Sequence, residues 1–145
     1  MRIWKSYTLI VFILGFFLVS GCQMFVNRER EKMQMIGPNL INLTKKVEVK
    51  VLLEDATLDK GERKLLEEST RNKPSLLEWF DENDYLVKAN IIDQHAILLV
   101  CTSDGKRGLY EDTDCKTGPD KQLWKSKESS CEFTIDKSYI QQYCQ

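Results

Sequence analysis

The sequence predicts a small α+β domain: about five antiparallel strands, two or three short helices, and a carboxyl-terminal half stapled by disulfides. Three observations carry this. Five short segments have the alternating or continuous apolar pattern of strands, at Val47–Val51, Tyr85–Ile92, Ala96–Thr102, Arg107–Glu111 and Cys131–Ile135. Helix-start signatures precede Glu62 and Leu76. Four cysteines, Cys101, Cys115, Cys131 and Cys144, are confined to the last third of the chain.

The amino-terminal segment stands apart from the domain. Met1-Arg2-Ile3-Trp4-Lys5 is basic, the eleven residues from Leu9 to Val19 are apolar, and Ser20 and Gly21 are small. Those are the three parts of an export signal. Tyr7 to Val19 is short of the roughly 20 apolar residues that span a bilayer. Val19-Ser20-Gly21-Cys22 resembles the lipobox of bacterial lipoproteins, with Val19 where leucine is usual. The resemblance covers the first 22 residues and implies a diacylglyceryl thioether on Cys22, an acylated amino terminus and a membrane anchor. Gln23 resembles the outer-membrane sorting rule of enteric lipoproteins, which would place the domain at the outer membrane facing the periplasm.

The expected organisation is therefore a signal peptide over residues 1–21, a lipidated amino terminus and charged tether over 22–42, and one α+β domain over 43–145. Removal of 21 residues leaves 124, enough for one core. Arg2 and Lys5 are the only charges lost, so the remainder has 19 basic residues against 22 acidic ones, a net of −3. Such a balance gives no overall basic field for nucleic acid. The mixed-charge run Asn27–Lys32 and the Gly37-Pro38 break suit a leash, although a short helix fits nearly as well.

Val47-Glu48-Val49-Lys50-Val51 alternates at period two and reads as a strand with valines inward and charges outward. Asp59 to Thr70 reads as a surface helix, with Asp59 as N-cap, Glu62 three residues on, Arg63/Glu67 and Lys64/Glu68 at i,i+4, and a thin apolar face of Leu58, Leu65 and Leu66. Ser75 and Glu78 form a capping-box pattern ahead of a helix whose Leu76, Trp79 and Phe80 share a face. Tyr85–Ile92, Ala96–Thr102 and Arg107–Glu111 make a meander, turning at Asp93-Gln94-His95 and Ser103-Asp104-Gly105-Lys106. Ile97-Leu98-Leu99-Val100 is apolar throughout, as a central strand covered on both faces would be. Cys131–Ile135 is the expected last strand, followed by an Asp136-capped helical turn to Tyr143.

With Cys22 assigned to lipid, the other four cysteines of an exported chain form two disulfides. Cys101 near one end of a hairpin and Cys115 beyond the other would be well over about 10 Å apart, against a limit of roughly 7 Å between bridged Cα atoms. The reading pairs Cys115 with Cys131 and Cys101 with Cys144, with Cys101 to Cys131 as the alternative.

No residue pattern names a reaction. His95 is the single histidine and reads as a turn residue, since no nucleophile elbow accompanies it. Glu111-Asp112-Thr113-Asp114 fails the calcium-loop spacing and reads as a solvated strand end. No catalytic residue, metal site or cofactor is expected. Binding a protein partner in the envelope is the default, as an accessory or assembly factor of a secretion, pilus or conjugation apparatus. An inhibitor or exclusion lipoprotein is the alternative, and an envelope hydrolase is the runner-up from another class.

Overall fold

The computed structural model describes residues 31, 33–114, 124–125 and 130–144. The segment expected to be a signal peptide, Cys22, Cys115 and Gly118-Pro119 lie outside the described residues. Residues 36–145 form one compact unit.

Helix α1 runs over residues 33–54. Ile36, Leu40, Leu43, Val47 and Val51 repeat at i, i+4, i+7, i+11 and i+15, which puts all five on one side of a 3.6-residue helix, and all five are buried. Two expectations are corrected here. The segment Val47–Val51 is not a strand: Val49 points out and Glu48 points in, the reverse of the strand pattern. Residues 33–42 take the helical alternative rather than the leash, with Ile36 and Leu40 on the same stripe. Gly37-Pro38 does not break the helix; a proline removes one hydrogen bond, and the apolar stripe continues in register beyond it.

A 3-10 turn, Leu58–Lys60, leads to Gly61 at φ 94°, a left-handed value that glycine takes without a Cβ clash. Helix α2, Glu62–Ser69, starts there rather than at Asp59, whose carboxylate accepts from the Thr57 hydroxyl instead of capping. Leu65 and Leu66 are buried as expected. Helix α3, Ser75–Glu82, has Pro74 as its cap and no side-chain cap, so the Ser75/Glu78 box does not form. Proline at a helix start loses an N–H that would have had no partner there. Leu76, Leu77 and Phe80 are buried, while half-buried Trp79 meets Phe80 edge-on and stacks on Tyr85 at 6.0 Å.

The Arg63 guanidinium grips Asp81 through two hydrogen bonds of 2.9 and 2.8 Å, joining α2 to α3. It holds the Asp81 carboxyl below the usual range, and Asp81 with Glu67 raises Arg63. Both side chains are largely exposed, so water and salt screen most of the gain.

Strands β1 (Tyr85–Ile92), β2 (His95–Thr102) and β3 (Gly108–Thr113) form the antiparallel meander, and a two-residue β4 (Trp124–Lys125) pairs with β3. Central β2 is buried from Ala96 to Cys101. Asp93 and Gln94 both take left-handed φ values, 49° and 68°, as two-residue hairpin loops that match sheet twist require. The Ser103–Lys106 turn also forms, closed by Gly105 N–H to the Thr102 carbonyl at 2.8 Å.

The expected fifth strand is absent: Cys131–Ile135 makes no ladder. Two of its N–H groups, those of Thr134 and Ile135, have a side-chain acceptor instead. Glu111 on β3 is fully buried and its carboxyl accepts from Thr134 N–H at 2.7 Å, from Ile135 N–H at 3.2 Å and from the Thr134 hydroxyl. Glu111 and Asp112 are therefore interior, not a solvated strand end. The segment lies across the face of the sheet, where Ile97 packs with Ile135 and Ile140, and Leu99 with Cys101 and Cys131. Lys88 reaches over Phe133 to the Cys131 carbonyl at 3.1 Å. Helix α4, Lys137–Tyr143, follows, with Asp136 accepting from Tyr139 N–H at 2.9 Å as expected.

Cys101 is bonded to Cys131, with Cα atoms 5.7 Å apart, so the Cys115–Cys131 and Cys101–Cys144 pairing is overturned. The register explains the outcome: Cys101 is opposite Gly108, whose N–H donates to the Ser130 carbonyl at 3.1 Å. That hydrogen bond sets Cys131 beside Cys101. Cys144 is also disulfide-bonded.

Candidate docking surface

An amphipathic helix packed on a domain normally carries charge opposite its buried stripe. At its carboxyl end α1 does not: Val49, Leu52 and Leu53 are 53%, 50% and 78% exposed. Their i, i+3, i+4 spacing puts them on adjoining parts of the helix surface, with Lys45 and Lys46 one turn earlier.

Beside this ridge lies a groove of about 380 Å³, lined by α1 and by the turn that joins α2 to α3. The turn is built by hydroxyls. Ser69 and Thr70 donate back to the Leu65 and Leu66 carbonyls at 2.7 and 2.9 Å, and Lys73 N–H closes on the Thr70 carbonyl at 2.8 Å. Hydroxyl back-bonding of this kind competes with helix continuation. It leaves Arg71, Asn72 and Lys73 facing Lys46, Val49 and Lys50 across the groove. Four cations thus line one depression, against two carboxylates, Glu54 and Glu68. Lys50 pairs with Glu54, whereas Lys46, Arg71 and Lys73 have no ion-pair partner among the described residues. Glu68, expected to pair with Lys64, lines the groove instead.

The other charged feature is the His95–Glu48 contact. Glu48 on α1 is 5% exposed; one of its oxygens lies 2.7 Å from His95 Nδ1 and the other accepts Ala96 N–H at 2.5 Å. His95 is thus a partner of a buried carboxylate 47 positions away, and the pair fastens α1 to the start of β2. Among the described residues no serine, threonine or cysteine side chain is hydrogen-bonded to His95, and no three metal-ligating side chains gather. Replacing Glu48 by leucine should cost about 1–3 kcal/mol, the cost of a buried N–H without an acceptor. His95→Ala should cost less, since its ring edge reaches solvent. Urea titration of both variants checks the order; an equal or larger loss for His95→Ala would contradict it.

Among the described residues no cysteine lines the groove: Cys101 on β2 is bonded to Cys131, which opens the carboxyl-terminal segment on the face of the sheet. The groove residues were missed because a five-residue window around Val49 matched a strand. Extending the helical period back to Ile36 would have placed Val49, Leu52 and Leu53 outside the buried stripe. Comparison with protein-family models, curated proteins and solved structures returned no match to this chain.

Proposed function

We propose that this chain is a lipid-anchored envelope protein that works by binding a protein partner, as an accessory factor of a secretion, pilus or conjugation apparatus. The observation that carries the reading is the ridge of Val49, Leu52 and Leu53. Three large aliphatic side chains at least half exposed on one helix end are a cost in water unless something covers them. The lipobox-like Val19–Cys22 supports the anchor, and tethering supports binding: a domain held on a membrane meets partners on that surface at raised effective concentration. An inhibitor or exclusion lipoprotein would use the same surface.

Two measurements in cells test this. A labelled fatty acid should mark the wild type and not Cys22→Ala. A photo-crosslinking amino acid at position 53 should yield a discrete protein adduct that one at exposed position 132 does not. Equal labelling removes the anchor, and no adduct specific to position 53 removes the docking surface. The envelope hydrolase reading rests on the carboxylate-oriented His95. It predicts that His95→Ala is inactive although folded, whereas the binding reading predicts little change.

A further inference from the structure

The ridge and the groove are adjacent, and together they specify more than a generic sticky patch. We propose that this surface takes an amphipathic helix that carries carboxylates, its apolar side on Val49, Leu52 and Leu53 and its acidic side chains on Lys46, Arg71 and Lys73. The inference rests on the protein-binding reading and names the chemistry of the partner segment.

Shape argues for a helix. Among the described residues no strand lines the groove, so an extended peptide would find no row of unpaired backbone groups to join there. Exposed aliphatics at i, i+3 and i+4 form a ridge of the kind that fits between the side-chain rows of a second helix.

Charge argues for carboxylates. Three cations without ion-pair partners among the described residues converge on one groove in a chain whose net charge is negative. At physiological ionic strength charges are screened beyond about 8 Å, so an acidic segment senses these nearby cations more than the distant excess of acids. The attraction therefore selects position as well as sign. Glu54 and Glu68 on the same lining argue against a membrane surface as the occupant. A leaflet of anionic headgroups cannot avoid these two carboxylates, whereas a discrete segment places its own acids away from them.

The test uses the full chain held by its own anchor in phosphatidylcholine nanodiscs. The probe is a fluorescent helical peptide of about 16 residues, long enough to be partly helical alone, with leucines on one face and glutamates flanking them. Its twin carries lysine at every glutamate. Anisotropy titration should show the acidic peptide bound about tenfold or more tightly than the twin, and weakened severalfold between about 0.05 and 0.3 M salt. Lys46→Glu with Lys73→Glu should abolish the preference, and Leu53→Asp should abolish binding of both peptides; circular dichroism confirms that the variants are folded. Equal binding of the two peptides, preference for the basic twin, or binding of neither overturns the proposal. In a parallel arm, hydroxyl-radical footprinting of Leu53 is compared in phosphatidylcholine and phosphatidylglycerol discs. Protection only on the anionic discs, without peptide binding, assigns the surface to lipid and likewise overturns it. A position-53 protein adduct in cells with no acidic preference in vitro defeats this inference alone, while no adduct defeats the reading beneath it.

Discussion

Glu111→Ala should lower the stability of the domain by about 2–4 kcal/mol, while Glu111→Gln should stay within about 1 kcal/mol of wild type. The reason is geometric. One Glu111 oxygen accepts both Thr134 N–H and Ile135 N–H, and the other accepts the Thr134 hydroxyl. Alanine leaves the buried Ile135 N–H with no acceptor, at a cost of about 1–3 kcal/mol, and the part-buried Thr134 N–H and hydroxyl lose theirs at a smaller cost because water can reach them. Glutamine keeps the carbonyl where two N–H groups need it and presents its amide to a hydroxyl that can also accept. Urea unfolding of the three proteins checks the ranking. Hydrogen exchange at Thr134 and Ile135 localises it, since these amides should lose protection first in the alanine variant. An alanine variant as stable as wild type would mean that the carboxyl-terminal segment is held by apolar packing alone.

Removing the Cys101–Cys131 bond by Cys101→Ala with Cys131→Ala should cost between about 3 and 4 kcal/mol. The bonded residues are 30 apart in sequence, and closing a loop of that length in the unfolded chain is worth roughly that much in the chain-entropy description. Because Cys131 lies just before the residues that Glu111 holds, the two fastenings act on one segment and their losses should not add. Chemical denaturation of the single and combined variants measures this coupling. Peptide mapping without reductant should recover Cys101 joined to Cys131; a peptide joining Cys131 to Cys115 would refute the pairing.

Much of the sheet was legible in local pattern. The strands Tyr85–Ile92 and Ala96–Thr102 were readable because apolar-rich runs flanked by turn residues have few other uses, although His95, read as part of the turn, opens the second strand; the Asp136 cap was readable because its acceptor and donor are three residues apart. The Val47–Val51 segment failed for an equally local reason: over five residues, valines at i and i+4 satisfy both a strand face and a helix stripe. Glu48, Glu111 and Asp112 were assigned to solvent because acidic side chains usually lie there. Nothing near them in sequence announces the amides of Ala96, Thr134 and Ile135 that make burial of Glu48 and Glu111 tolerable.

By itself, then, the sequence determined the α+β class, the meander with its buried central strand, and the presence of disulfides in the last third of the chain. Those follow from hydrophobic period, turn chemistry and cysteine count, each of which acts within a few residues. Only the tertiary structure decided that residues 33–54 are one helix, that Cys101 joins Cys131, that Glu111 rather than a fifth ladder accepts from the Thr134 and Ile135 amides, and that basic residues from α1 and the α2–α3 turn share a groove. These four outcomes depend on which distant groups meet. A buried donor takes the nearest acceptor in space, and a thiol the nearest thiol, whatever their separation along the chain.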